Sequence, residues 1–170
     1  MKEYPTRHTI RLKEYDYSQD GMYFVTICTQ NRANILWHGE VGAIINRPRA
    51  ACQFSDVGKI VDQAIQNINQ RYIGITVDKY VVMPNHVHML LSFQQLQSGN
   101  NVHITTLQNV IKQMKSYVTK QVRRTVWQKS FYDHIIRDEA EYQRIWKYID
   151  ENPLKWELDC YYKITESTGD

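Results

Sequence analysis

Long apolar runs are missing from this sequence of 170 residues. No stretch approaches the roughly 20 consecutive apolar residues that a membrane-spanning helix requires. The opening segment, MKEYPTRHTIRLKEYDY, also lacks the apolar stretch of a secretory signal peptide. We therefore expect a protein without a membrane partner, located in the cytoplasm.

Cysteines are also few, and the net charge is small. The three cysteines, Cys28, Cys52 and Cys160, lie far apart and form no Cys-x-x-Cys pair, which is typical of reduced thiols rather than of a disulfide framework or a zinc site. A formal net charge of +3 is compatible with nucleic-acid binding but does not require it. Composition alone therefore leaves the function open.

Internal repeats, low-complexity blocks and Gly/Ser-rich linkers are absent as well, so the sequence offers no domain boundary. We predict one domain over 1–170, with an N-terminal arm at 1–21 and a C-terminal tail at 157–170. The segment NRPRAACQ, 46–53, is typical of a loop.

The order of the apolar patterns predicts an α+β fold. Alternating or β-branched runs predict strands, and apolar residues at helical spacing predict helices, with Ser55 and Asp138 as N-caps. The resulting order β, α, β, β, α, β, α indicates a ferredoxin-like (RRM-like) sandwich, in which an antiparallel sheet carries helices on one face and leaves the other face open. The predicted strands are 22–30, 75–83, 86–93 and a segment within 127–137, the helices are 54–72, 105–124 and 138–152, and a hairpin is predicted over 35–45.

Two histidines stand two residues apart in the predicted strand HVHMLLSF. His86 and His88 therefore point to one face of the sheet, whereas Val87, Met89, Leu91 and Phe93 form the apolar face that suits a core. Two neutral imidazoles that converge in this way are half of a metal site, although surface or structural histidines have the same spacing. Leu90 stands where a histidine-triad hydrolase has its third histidine, and no third zinc ligand is obvious nearby.

The last predicted helix carries a phenol and an amide beside its apolar stripe. Tyr148 and Asn152 are one turn apart on the same flank, away from the stripe of Tyr142, Ile145, Trp146 and Ile149. An amide oxygen suits a metal, and a phenol held beside a metal suits phosphoryl transfer, since a Lewis acid and an oxygen nucleophile are its main requirements. The alternative is an ordinary boundary tyrosine and a helix-ending asparagine.

Several separated segments, taken together, resemble the REP-associated tyrosine transposases, which are relatives of the single-tyrosine insertion-sequence transposases. The segments are IRLKEYDYSQDGMYFVTICTQNR, MPNHVHMLL, WQKSFYDHIIRDEAEY and KYIDENPLKW, and the resemblance covers about residues 7–156. It implies a ferredoxin-like fold with a C-terminal helix that carries the catalytic tyrosine.

The resemblance also implies roles for four residues. His86 and His88 match the metal ligands of the histidine–hydrophobe–histidine (HUH) motif, Tyr148 matches the catalytic tyrosine, and Asn152 matches the third ligand. The implied cofactor is Mg²⁺ or Mn²⁺, and the implied substrate is single-stranded DNA beside short hairpins of REP-like palindromes. Such an enzyme cleaves through a 5′-phosphotyrosine intermediate and rejoins strands. Tyr132, on a predicted strand, is the competing nucleophile.

Basic and aromatic residues suggest where DNA would lie. The candidates for phosphate contacts are Arg7, Arg11 and Lys13 in the arm, Lys112, Lys115 and Arg123 on the second helix, and Lys129 and Arg137 beside the fourth strand. Tyr15, Tyr17 and Tyr23 are candidate stacking partners for bases. A solvated basic face is the alternative for each cation.

Other functions share these features. A rolling-circle initiator or relaxase would use the same chemistry, although such proteins are usually larger. A non-catalytic RNA-recognition-like module would share the fold, but histidines stand where its stacking aromatics would be. A domesticated transposase would bind DNA without cutting it. The sequence also leaves open a monomer or a homodimer in which the tyrosine helix acts in trans.

Overall fold

The structure, a computed structural model, describes residues 20–38, 54–94 and 105–153. Within these ranges no helix is long and apolar enough to cross a membrane. The elements are β1 (Gly21–Cys28), α1 (Asp56–Arg71), β2 (Ile75–Val82), β3 (His86–Phe93), α2 (Leu107–Val122), β4 (Tyr132–Ile136) and α3 (Glu139–Glu151).

The four strands form one antiparallel sheet in the order β2-β3-β1-β4. With α1 between β1 and β2 and α2 between β3 and β4, this is the predicted ferredoxin-like α+β fold. The predicted strands and helices are confirmed with ends shifted by a few residues, and β2 carries a bulge between Val77 and Lys79. The hairpin predicted over 35–45 falls mostly outside the described residues, and its described start makes only an isolated bridge between Trp37 and Phe54.

Helices α1 and α2 cover one face of the sheet, as predicted. Their N-caps, Ser55 and Thr106, accept hydrogen bonds from the backbone N–H groups of Gly58 and Asn109. The buried stripes of both helices meet the odd-numbered residues of β1 and β3 in one large core. The strand period of two thus decides which side chains enter this core.

The opposite face is not open, which corrects the expectation drawn from the sequence. Helix α3 packs across it and places Ile149 in a second apolar cluster with Leu90 and Ile136, all of them buried. Asp138 caps the helix by accepting a hydrogen bond from the Glu141 N–H. The element order predicted helices on one face only, but the apolar stripe of α3 requires a partner surface, which this face provides.

The predicted arm, the loop 46–53 and the tail 157–170 lie outside the described residues, except for residues 20 and 21 of the arm. The division of the chain into these parts stays a prediction.

Gly58 lets α1 approach Leu36, in the segment after β1, which is hydrogen-bonded to the turn before the histidine strand. A Cβ at this position would overlap the carbonyl oxygen of Leu36, and the Leu36 N–H donates to the carbonyl of Pro84, two residues before His86. Small side chains are therefore required where α1 meets this segment.

We predict that Gly58→Ala destabilises the protein by about 1–3 kcal/mol, because overpacking against backbone outweighs the gain of roughly 1 kcal/mol in helix propensity. Urea unfolding followed by circular dichroism measures the change. Gln63→Ala, at an exposed position of the same helix, is the matched control and should alter stability little. Higher stability of Gly58→Ala would contradict the close approach.

Candidate metal and tyrosine site

His86 and His88 lie on the sheet face that α3 covers. Their backbone partners on β1 are Cys28 and Thr26, and Val81 pairs with His88 from β2. The predicted orientation is confirmed, since Val87 and Met89 enter the large core while the histidines point the other way. Both imidazoles are almost fully buried, at 0% and 1% exposure. They are therefore not surface histidines.

Asn85 fixes the ring of His86. Its Oδ1 lies 2.9 Å from His86 Nδ1, while its Nδ2 donates to the carbonyl of Arg32 at 3.3 Å. Because a carbonyl oxygen only accepts, Nδ1 of His86 carries the proton and Nε2 presents its lone pair. Asn85 is itself fully buried. This is the arrangement by which a neighbouring polar group holds a metal-binding histidine in one tautomer.

Thr26 holds the second ring. Its Oγ1 lies 2.8 Å from His88 Nδ1, and the Nε2 atoms of His86 and His88 are 3.0 Å apart. A hydroxyl both donates and accepts, so Thr26 suits either tautomer of His88. With a proton on His88 Nε2 the two rings share a hydrogen bond; with the proton on Nδ1, both Nε2 lone pairs point to one place. Sequence reasoning missed Thr26 and Asn85, because cross-strand register brings Thr26 to His88 and a turn places Asn85.

Burial keeps both histidines neutral. Desolvation lowers the pKa of His88 to about 3. Desolvation, with the positive charges of His88 and Arg32 as smaller causes, lowers the pKa of His86 well below its ordinary value. At neutral pH both rings therefore present uncharged nitrogens, which is the state that binds metal.

Helix α3 brings Tyr148 to this pair. The Tyr148 hydroxyl lies 3.2 Å from His88 Nε2, and its ring lies edge-on to His88 and to Phe24. Neighbouring Ile149 is fully buried, whereas Tyr148 is 42% exposed. The phenol thus touches a candidate ligand and is open to a substrate.

Contacts with β2 support the position of α3. Lys79 Nζ bonds to Asp150 Oδ1 at 2.7 Å and lies 4.6 Å from the ring centroid of Trp146. Both contacts hold α3 against β2, and with it the helix position that carries Tyr148.

Asn152 ends α3 one turn after Tyr148. It is 3% exposed, and its Oδ1 is buried with no hydrogen-bond partner among the described residues. A buried carbonyl oxygen without a partner costs about 1–3 kcal/mol, which a cation ligand would recover.

These donors fit a divalent cation. Two cis ligands about 2.1 Å from one octahedral ion lie about 3.0 Å apart, close to the separation of the two Nε2 atoms. In the described part of the chain no group of three or more His, Cys, Asp or Glu side chains could hold a metal. Cys28 is buried, and Cys52 and Cys160 lie outside the described residues.

Tyr132, the competing nucleophile, lies on the same sheet face. It pairs with Thr26 across β1–β4, and Thr26 pairs with His88 across β1–β3. One strand therefore separates Tyr132 from the histidine that Tyr148 contacts.

Those predicted DNA-binding residues that fall within the described ranges do not lie in one place. Lys112 lies on α2 and Arg123 directly follows it, across the sheet from the histidines, and both are exposed. Lys115 donates to the carbonyls of Gln128 and Lys129 at 2.7 and 3.1 Å, so it supports the loop before β4. Lys129 and Arg137 are exposed at the two ends of β4.

The structure describes only one of the three aromatic residues predicted to stack on bases. Tyr23 is fully buried in the large core, so its predicted role as a stacking partner is wrong; it has an odd-numbered position on β1 and faces α1 and α2. Tyr15 and Tyr17, and with them Arg7, Arg11 and Lys13, lie outside the described residues.

This chain is similar to several known proteins. The family model "Transposase IS200 like" matches residues 17–152. An uncharacterized protein of Haemophilus influenzae is 34% identical over 92% of this chain and 93% of its own. A second protein of that organism, provisionally named a REP-associated tyrosine transposase, is 22% identical over 82% of this chain and 74% of its own.

A solved structure shares the fold. The structure of a REP-associated tyrosine transposase bound to a REP hairpin superposes with a TM-score of 0.60 at 19% identity, and the match covers 94% of this chain and 76% of that one.

Burial of His88 predicts a pH-dependent stability. In the unfolded chain His88 becomes protonated below its ordinary pKa of 6.5, whereas in the folded chain it stays neutral down to about pH 3. The free energy of unfolding therefore falls as the pH falls from 6.5 towards 3. Between pH 7 and 5 the loss from His88 is about 2 kcal/mol.

Urea unfolding at both pH values in EDTA measures this loss. The same measurement on His88→Gln is the control, because the protonation of carboxylates lowers the stability of both proteins equally. The wild type should lose about 2 kcal/mol more than the variant. Equal losses would show that His88 is not buried in the neutral form.

Proposed function

This chain belongs to the IS200-like transposases, and from that premise we propose that it is a metal-dependent endonuclease and strand transferase for single-stranded DNA, with Tyr148 as its nucleophile. The observation that carries the proposal is the 3.2 Å contact of the Tyr148 hydroxyl with His88 Nε2, at the point where His86 also presents its Nε2. A phenol, two neutral imidazoles and an unpartnered amide oxygen are the parts that this reaction requires.

His86, His88 and Asn152 are the residues that would hold the cation, Mg²⁺ or Mn²⁺. When bound there, such an ion supplies Lewis-acid polarisation of the scissile phosphate and neutralises the charge that develops in the transition state. The chain contributes the rest: Asn85 and Thr26 orient the rings, and α3 keeps bulk water from them.

Tyr148 would perform the cleavage. Its oxygen forms a bond to the phosphorus while the bond from phosphorus to the 3′-oxygen breaks, leaving a 5′-phosphotyrosine and a free 3′-hydroxyl. The phenol loses one proton and the departing 3′-oxygen gains one, so the step is balanced. Tyr148 is partly exposed, so this proton can leave through solvent.

Rejoining reverses these steps. The 3′-hydroxyl of another strand attacks the phosphotyrosine, forms the new phosphodiester bond and returns the phenol to Tyr148. The energy of the broken bond is kept in the intermediate, so no nucleotide cofactor is needed.

Hairpin-bearing DNA is the proposed substrate. The structural relative is bound to a REP hairpin, and we extend that substrate class, short palindromes with an adjoining single strand, to this chain. Such a substrate implies that the protein acts in the cytoplasm.

We predict that Tyr148→Phe abolishes a covalent protein–DNA adduct and leaves DNA binding unchanged, because only the attacking oxygen is lost. The adduct is measured on a denaturing gel after incubation with Mn²⁺ and oligonucleotides copied from the hairpins that flank the gene. Tyr142→Phe is the matched control on the same helix, since the Tyr142 hydroxyl bonds to Asp78. Adduct formation by Tyr148→Phe at the wild-type rate would refute the assignment.

We also predict that Asn152→Ala weakens Mn²⁺ binding at least about 10-fold, since groups that only support metal ligands already contribute 10- to 100-fold. Titration calorimetry in the absence of DNA measures the affinity. Asn109→Ala, at an exposed position on α2, is the control. Equal Mn²⁺ affinities of Asn152→Ala and wild type would remove Asn152 from the ligand set.

A further inference from the structure

Exposed large apolar side chains are concentrated near the candidate site. Among the described residues they are Ile73 at 87%, Tyr132 at 37% and Tyr148 at 42% exposure. Both tyrosines lie on the sheet face of the histidines, on either side of Thr26, which is 3% exposed and bound to His88. Ile73, by contrast, lies in the turn before β2, at the opposite end of the sheet from His86.

No side-chain contact in the described part of the chain explains why a tyrosine stands at position 132. Within the described residues its side chain makes no hydrogen bond and no ring contact, whereas the hydroxyls of Tyr72, Tyr80 and Tyr142 bond to Gln113, Asp62 and Asp78. It stands on β4, an edge strand of the sheet, and α3 packs chiefly over β2 and β3. Its ring is therefore available to a ligand.

We propose that Tyr132 is a base-stacking platform, which holds a nucleotide of single-stranded DNA beside the phosphate that Tyr148 attacks. This inference rests on the proposed function. The single strand would run from the histidine pair across Thr26 to the edge of the sheet at β4. The two exposed tyrosines thus have separate roles, attack for Tyr148 and stacking for Tyr132.

The distances suit a single strand. β4 lies two strand spacings from β3, about 10 Å, which a very short stretch of extended single strand spans. Every base has a π-face, so one aromatic ring serves different sequences, and such stacking contributes to affinity without sequence readout. Tyr132 stands at the β4 end that is next to the histidines in register.

Charge near Tyr132 also favours DNA. Lys129 is exposed three residues before Tyr132, and its carbonyl is held by Lys115 Nζ, so the loop that carries it is anchored. At the other end of β4, Arg137 adjoins the acidic residues Asp138 and Glu139 of α3. A phosphate backbone is thus better accommodated at the Tyr132 end of the strand.

The test measures binding to the full-length protein in EDTA, where cleavage cannot interfere. The probe is a short fluorescein-labelled oligothymidine, read by anisotropy, and a second oligonucleotide with one 2-aminopurine reports stacking by quenching. We expect Tyr132→Ala to weaken binding roughly 5- to 150-fold and to abolish the quenching, corresponding to 1–3 kcal/mol per stacked base. Tyr132→Phe retains the ring and should recover most of the affinity.

Two further variants separate stacking from other effects. Tyr132→Leu keeps an apolar side chain without a π-face and should resemble Tyr132→Ala, and Ile73→Ala controls for loss of an exposed apolar group. Circular dichroism confirms that the variants fold, which exposure of both positions favours.

Unchanged affinity of Tyr132→Ala for oligothymidine, or no binding of oligothymidine by the wild type, would contradict the proposal that Tyr132 stacks on a base. Neither result alters the adduct test of Tyr148, so failure of the platform and failure of the proposed function are distinguishable. Conversely, loss of the adduct in Tyr148→Phe with normal quenching would support both.

Discussion

The packing of α3 across the sheet is the constraint on which the candidate site depends. Ile149 is fully buried with Leu90 and Ile136, and burying one such aliphatic side chain contributes about 1.5–3 kcal/mol. The partly exposed ion pair of Lys79 and Asp150 adds less, on the order of 1 kcal/mol or below. Apolar burial therefore holds the helix, and it fixes the position of neighbouring Tyr148.

The packing of α3 also affects the burial and the protonation state of the two histidines. Without α3 they would be solvated imidazoles on an open sheet; beneath it they are buried, neutral and oriented by Thr26 and Asn85. The unpartnered Oδ1 of Asn152 is the local loss of stability in this arrangement. The cation proposed for this site would supply the partner that this oxygen lacks among the described residues.

Much of this could be predicted from the sequence, because periodicity is local. The two-residue repeat assigned His86 and His88 to one face, and the capping pattern at Asp138 located the start of α3. Register and burial are not local: nothing in the sequence pairs Thr26 with His88, or shows that α3 turns back over the face judged to be open. The roles of the four site residues came from resemblance and remain proposals.

The central claim is that Tyr148, rather than Tyr132, becomes attached to DNA. A substrate with sulfur in place of the bridging 3′-oxygen would trap the intermediate, because a 3′-thiol rejoins poorly. Trypsin places the two tyrosines in separate peptides, YIDENPLK and SFYDHIIR, so mass spectrometry can tell them apart. The account predicts a 5′-phosphonucleotide on the peptide that begins at Tyr148. The same modification on the peptide that contains Tyr132 would contradict it.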